Sequence, residues 1–218
     1  MFDLLVRVLV AYLLGSINGA LLIGRFRGID IRTQGSGNAG GTNALRTQGW
    51  AFATGVIVID VGKAVVAVQS VPTAFISPTL SPEWIAAACG FAAVLGHVYP
   101  VFHGFRGGKG VATILGTLLA LSWPLLLGML AVWLLMMLVF GFVGLGSMVA
   151  ASALPLIAQY AGARGVIAPE EVLPLTVFGI VCAVFVVWTH RSNIARMRNG
   201  TEPRAKTLWL LGRLIRKP

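Results

Sequence analysis

The feature that most constrains this chain is a succession of apolar stretches about 20 residues long, the length a helix needs to cross roughly 30 Å of hydrocarbon. Three are well separated, at 4–24, 50–70 and 84–102. Four more, shorter or less cleanly divided, fall at 111–122, 124–142, 145–160 and 172–189. The expected fold is all-α: a polytopic integral membrane protein with seven transmembrane helices, one membrane domain over 1–218, ending in a basic tail at 190–218. Composition agrees, since 57% of residues are hydrophobic and 11% charged, where a soluble domain carries about a quarter charged. A soluble enzyme, a disordered chain and a disulfide scaffold are excluded, the last because two cysteines cannot staple 218 residues.

The formal net charge of +10 comes from 17 Lys and Arg against 7 Asp and Glu. In a soluble chain it would suggest nucleic acid. Here its distribution suggests membrane orientation, and no nucleic-acid partner is expected. Seven crossings put the two chain ends on opposite sides, and cytoplasmic loops carry an excess of Lys and Arg. With the carboxyl end inside, Arg25, Arg27, Arg32 and Arg46 share one internal loop and Arg106 and Lys109 another. Arg191, Arg196, Arg198, Arg204, Lys206, Arg213, Arg216 and Lys217 fall in the internal tail. Only Arg7, Lys63 and Arg164 are left over, while Asp3, Glu83, Glu170 and Glu171 lie outside. The amino end is therefore expected outside and the tail inside, against the anionic inner leaflet. Merging two segments between 111 and 160 would turn the tail outward, against this bias; Trp123-Pro124 and Gly141, Gly144 and Gly146 are the punctuation there. Asp3 and Arg7 leave no positively charged leader, so the first helix is expected to stay. Gly15 and Gly19 in it read as small-residue packing contacts.

Polar chemistry concentrates in the internal loops. The first contains Gly35, Ser36, Gly37, Asn38, Gly40, Gly41, Thr42, Asn43 and then Arg46. Glycines let successive N–H groups turn into one concavity of the kind that holds phosphate oxygens, and an arginine can fork onto a phosphate. A flexible polar linker would need neither the asparagines nor the arginine, which favours an anion site. The second loop contains His97, His103, Arg106, Gly107, Gly108, Lys109 and Gly110. A P-loop fits poorly: Gly110 stands where Ser or Thr is needed, His103 where the first glycine is needed, and no strand precedes. Two readings remain, an anion site at a helix start and an interfacial turn anchored by its cations.

Asp60 and Lys63, three residues apart near mid-membrane, share a helix face. They are expected to form a structural polar pair that ties this helix to polar groups of the first loop, because ionisable groups at that depth are costly unpaired. At the inner end of the last span, His190 and Asn193 share a face if the helix continues; an ordinary basic membrane boundary is the plainer reading. The three histidines lack ligand spacing, so no metal is expected. Cys89 and Cys182 lie in apolar segments as packing residues.

Taken together, these residues resemble the bacterial acyl-phosphate-dependent glycerol-3-phosphate acyltransferases over nearly the whole chain. Residues 36–43 with Arg46 are similar to that family's first motif, 96–113 to its second and 190–202 to its third; Asp60 and Lys63 sit in a further signature. Gly41 replaces a usual alanine and Arg106 a usual lysine, and the segment before Gly146-Ser147 lacks an arginine often found there. The resemblance implies seven membrane helices in a bacterial inner membrane, with the active site on the cytoplasmic side. It implies transfer of a fatty acyl group from acyl phosphate to the 1-hydroxyl of glycerol 3-phosphate, giving lysophosphatidic acid and phosphate, the first acylation of phospholipid biosynthesis. No cofactor is implied; the partners are the two substrates, membrane lipid and a functional link to an enzyme that makes acyl phosphate.

Residue by residue, the resemblance assigns Ser36, Arg46, Lys109, His190 and Asn193 to glycerol 3-phosphate. It gives the acyl-phosphate head to Gly35, Gly37, Asn38, Gly40, Gly41, Thr42 and Asn43, with Gly107 and Gly108 in the second loop also contacting substrate. Acyl phosphate carries a good leaving group, so no covalent intermediate is needed, and the proton acceptor is His190 or, preferably, the donor phosphate. Two other classes compete. A transporter of a small phosphorylated anion would also use broken helices and intramembrane charges, but the polar motifs gather on one face and no inverted repeat is visible. A structural anionic-lipid binder explains the tail but not the glycine loops.

Overall fold

The computed structural model describes residues 2–70, 81–205 and 207–215, and they are all-helical with irregular connections. Of the expected basic tail, Lys206, Arg216 and Lys217 lie outside the described residues. The chain divides into two compact units, Met1–Ser122 and Trp123–Pro218.

In the amino-terminal unit the first expected span is broken. Helix α1 (Phe2–Gly15) and α2 (Gly19–Phe26) are bent by 46° across residues 16–18. Asn18 is the cause that can be named: its side chain accepts from Leu21 N at 3.1 Å, capping α2 and starting a new helix. Helices α3 (Gly41–Gln48), α4 (Trp50–Gln69), α5 (Pro82–Val98) and α6 (Val111–Leu121) complete the unit. α4 is its centre, packing on α1, α2, α3, α5 and α6. Glycines set the closest approaches. A β-carbon on Gly15 would overlap the Ala93 backbone of α5, and one on Gly19 would lie 2.8 Å from Val56 O of α4. One on Gly96 would collide with Tyr12 O and sit 2.8 Å from Ser16 N. Backbone cannot step aside as a side chain can, so Gly96→Val is expected to destabilise the purified protein by about 2 kcal/mol or more in thermal unfolding.

In the carboxyl-terminal unit α7 (Trp123–Phe140), α8 (Val143–Ala163) and α9 (Pro169–Thr189) are long and apolar, with α8 packed between the other two. A short helix, α10 (Arg191–Arg198), follows, and α11 (Leu210–Ile215) packs on α7. The tail between them is a strap rather than a loose basic end. Ala205 N donates to Gly141 O at 2.8 Å and Trp209 Nε1 to Val139 O at 3.0 Å. Arg204 stacks over the rings of Phe142 and Trp209, 4.5 and 3.9 Å from their centroids.

By length and composition, five helices among the described residues can cross a membrane, and the bent pair α1–α2 makes a sixth if it is one span. The remaining expected span, 111–122, is the 11-residue α6, only about 16 Å of helix.

Candidate functional site

The first glycine loop is folded around one side chain. Asn43, on the first turn of α3, points back into the loop: its Oδ1 accepts from Ser36 N at 2.9 Å, and its Nδ2 donates to Gln34 O at 3.0 Å and Ile31 O at 3.3 Å. Gly35 and Gly37 have φ of +56° and +72°, and a β-carbon on Gly35 would strike Asn43 Oδ1. Asn43 is buried and thus spends its polar atoms on shaping the loop, where the resemblance assigned it to substrate. Asn43→Ala would leave these backbone groups without their partner, at a cost of about 1–3 kcal/mol. Thermal unfolding is expected to record the loss together with a fall in activity.

That fold exposes the start of α3. Gly41, Thr42 and Asn43 are its first three residues, and their N–H groups have no carbonyl one turn earlier to bond to. Such an end, entered through a glycine-rich bend, is a seat for anionic oxygens. Exposed Ser36 and Thr42 and half-buried Asn38 stand near it in sequence, and exposed Arg46 lies one turn along α3 from Thr42. Gly40 is held closely by Asn38, whose Nδ2 would lie 2.8 Å from a β-carbon there.

The second loop is brought against the first. Arg32 Nη1 donates to His103 O at 3.0 Å and Arg106 O at 3.3 Å, and its other donors grip Asp30. This pairing holds the Asp30 carboxyl below its usual range and raises Arg32 in turn. With its folded-state value lowered, the staple is complete above the ordinary carboxylate range and is lost only as pH falls through the lowered value. Gly108 lies beside the first loop, a β-carbon on it falling 2.9 Å from Ala39 O. Gly107 N and Gly108 N donate to Val98 O and His97 O, at 3.0 and 3.1 Å. These N–H groups are thus engaged within the protein, and what the two glycines supply is close approach. Half-buried Lys109 follows, and Gly110, at φ +90°, opens α6.

Beneath both loops sits the intramembrane pair. Lys63 Nζ lies 2.8 Å from Asp60 Oδ1, and both reach the break in the first span instead of the first loop: Asp60 Oδ1 accepts from Gly19 N at 3.0 Å, and Lys63 donates to Ile17 O at 2.9 Å. His97 joins them, its Nδ1 at 3.0 Å from Lys63 Nζ and 3.3 Å from Asp60 Oδ1. Asn18 Nδ2 donates to Ala39 O at 3.1 Å. Sequence assigns no site role to Asn18, which precedes Gly19 in an apolar stretch, and names His97 only as part of the second loop.

The third motif belongs to the carboxyl-terminal unit. His190 ends α9, its Nδ1 2.8 Å from Val186 O. A carbonyl only accepts, so Nδ1 carries a proton, and when the ring is neutral its lone pair lies on Nε2. Asn193 Nδ2 donates to Glu202 Oε1 at 2.7 Å and Arg196 Nε to Glu202 Oε2 at 2.6 Å. Glu202, buried and overlooked as a site residue, thereby fastens the strap to α10. Among the described residues no cluster of three His, Cys, Asp or Glu can hold a metal.

Long apolar helices interrupted by glycine loops and cations define an integral membrane protein. Comparison with known proteins is more specific: a family model for glycerol-3-phosphate acyltransferase matches residues 5–200. A glycerol-3-phosphate acyltransferase of Jannaschia sp. (strain CCS1) is 44% identical over 197 residues, 90% of each chain. One of Geobacter sulfurreducens is 42% identical over 208 residues, 94% of this chain and 100% of that one. Two crystal structures of PlsY (YgiH), an integral membrane glycerol 3-phosphate acyltransferase, are also similar. Its glycerol 3-phosphate form has a TM-score of 0.76 and 36% identity over 92% of this chain and 94% of that one. Its lysophosphatidic acid form has a TM-score of 0.78 and 34% identity over 95% and 98%. The chain belongs to the glycerol-3-phosphate acyltransferase family. It is therefore an acyltransferase, and the transporter and lipid-binder alternatives fall away.

Proposed function

We propose that this chain transfers a fatty acyl group from acyl phosphate to the 1-hydroxyl of glycerol 3-phosphate, releasing lysophosphatidic acid and inorganic phosphate in the first acylation of phospholipid biosynthesis. The observation that carries this is the open start of α3 beside Arg46, with Gly108 and hence Lys109 held against the same loop at Ala39. Two phosphorylated substrates need such anion-holding groups, and the solved relatives carry the names of glycerol 3-phosphate and lysophosphatidic acid.

In this reading the N–H groups of Gly41 to Asn43, with Gly35, Gly37, Asn38, Gly40 and Thr42 around them, hold the acyl-phosphate head and stabilise charge developing on the attacked carbonyl. Asn43 contributes by holding the loop in shape, and Gly107 and Gly108 by letting the second loop lie close against His97 and, at Gly108, Ala39, which sets the substrate-facing surface. Ser36, Arg46 and Lys109 orient glycerol 3-phosphate. His190 and Asn193 are assigned to the same substrate from the third motif, His190 through the acceptor Nε2 that its tautomer leaves. The 1-hydroxyl attacks the acyl carbon, the bond to phosphate breaks, and the hydroxyl proton passes to the departing phosphate. Neither cofactor nor covalent enzyme intermediate enters.

The proposed topology has seven crossings, amino end outside and loops and tail in the cytoplasm of a bacterial inner membrane, where soluble glycerol 3-phosphate is found. It is supported by the placement of all but Arg7, Lys63 and Arg164 among the 17 cationic residues. A functional link to an enzyme that makes acyl phosphate follows from the donor.

The role of His190 is tested by His190→Ala. A raised KM for glycerol 3-phosphate with kcat little changed is expected for an orienting group. A fall in kcat of about 10²- to 10⁴-fold at saturation would instead make it the general base.

A further inference from the structure

Lys63 has three N–H bonds and three acceptors: Asp60 Oδ1 at 2.8 Å, Ile17 O at 2.9 Å and His97 Nδ1 at 3.0 Å. Of the two contacts of Nδ1, to Lys63 Nζ at 3.0 Å and to Asp60 Oδ1 at 3.3 Å, the shorter takes a lone pair, which assigns the ring proton to Nε2. A doubly protonated ring would instead set two cations 3.0 Å apart inside the bundle. Lys63 therefore fixes both the tautomer and the orientation of a buried neutral imidazole.

What that ring touches on its other side is the second loop. A β-carbon on Gly108 would overlap His97 Nε2 and lie 2.8 Å from its Cε1, so the ring edge is a floor on which Gly108 rests. The backbone of the same residue is the ceiling tie, His97 O accepting from Gly108 N at 3.1 Å. Gly108 in turn lies against Ala39 O, which Asn18 Nδ2 holds at 3.1 Å from the break in the first span. The contacts close a circuit from the helix break through Asp60 and Lys63 to His97, across both loops and back to Asn18.

We infer that His97 is a positioning residue for glycerol 3-phosphate binding: clamped by Lys63, its ring sets the height of Gly108 and so the placement of Lys109 against the first loop. This rests on the assignment of Lys109 to that substrate. His97 does not touch the reacting atoms; it acts through Gly108 and the next residue. The break in the first span acquires a purpose, since Ile17 O becomes an acceptor for Lys63 only because the helix is interrupted there.

The test compares His97→Leu with His97→Asn in purified protein, with thermal unfolding alongside steady-state kinetics. Asn keeps an acceptor near the Nδ1 position for Lys63; Leu keeps bulk alone. His97→Leu is expected to raise KM for glycerol 3-phosphate by about tenfold or more while KM for acyl phosphate stays within about threefold, and His97→Asn to recover most of the loss. A merely structural role would lower the apparent kcat with the folded fraction and leave both KM values alone, and that result overturns the inference, as does an unchanged KM in folded His97→Leu. Should His97→Leu not fold, His97→Asn decides: a KM for glycerol 3-phosphate raised less than threefold together with normal KM in a His97→Ala variant would also overturn it. Wild-type protein making no lysophosphatidic acid would fail the proposed reaction itself, a separate outcome from active variants with unshifted KM.

Discussion

Lys109→Ala is expected to lower kcat/KM for glycerol 3-phosphate by roughly 30-fold to several thousand-fold while the protein stays folded in membranes. Removing one partner of a desolvated, hydrogen-bonded charge pair costs about 2–5 kcal/mol, and each 1.4 kcal/mol is about tenfold in rate. Lys109 lies half-buried between two glycines at the mouth of a loop whose backbone is anchored by His97 O and Val98 O, independently of the lysine side chain. Arg46→Ala is expected to do the same from the other loop. Arg46→Lys restores charge without the planar two-pronged donor and should recover only part of the activity. Kinetics on membranes or purified protein with matched expression decide the matter; full activity in both alanine variants contradicts the site assignment.

The largest effect on stability is expected at Asp60. Asp60→Leu leaves the Lys63 ammonium buried without its carboxylate, and breaking a buried pair by removing one partner costs about 3–5 kcal/mol. The carboxylate also accepts from Gly19 N, so the start of α2 loses a partner at the same time. Asp60→Leu with Lys63→Met removes both charges and is expected to regain a substantial part of the loss, since the desolvation cost of the ammonium disappears with it. A double-mutant cycle in thermal or denaturant unfolding measures this coupling. Additive losses would show that the two residues stabilise the fold separately.

These expectations divide between what the sequence displays and what it hides. The spans at 50–70, 84–102, 124–142, 145–160 and 172–189 were legible because each is a long apolar run, and they correspond to α4, α5, α7, α8 and α9. The glycine loops were legible because glycine and cations interrupt those runs. The break in the first span was not, because Ser16, Ile17 and Asn18 are too few to lower the apolar character of 4–24, and an isolated asparagine looks like a tolerated polar residue until its cap is seen. The partners of Asp60 and Lys63 were hidden for a different reason. Spacing along one helix predicts that the two residues meet, but the carbonyl and N–H they satisfy lie more than 40 residues earlier in the chain.

His97 and Glu202 show the same limit. Both occur in recognised motifs, yet their roles depend on a lysine in another helix and on a tail that folds back. Counting charge explained the tail as topology; the stacking of Arg204 between Phe142 and Trp209 shows that one of those charges is also a structural clasp. Asn43 was legible as a polar group in the right loop, while its direction, inward to the backbone, was set by contacts no spacing rule contains.

The central claim is the reaction, and its most direct test is purified protein in lipid nanodiscs given a long-chain acyl phosphate and glycerol 3-phosphate, with lysophosphatidic acid and inorganic phosphate both quantified. Equimolar formation of the two products, dependent on glycerol 3-phosphate and at least about 30-fold less efficient in Lys109→Ala, is the predicted result. Protein-dependent phosphate release without lysophosphatidic acid, or no product from acyl phosphate at all, would contradict the account.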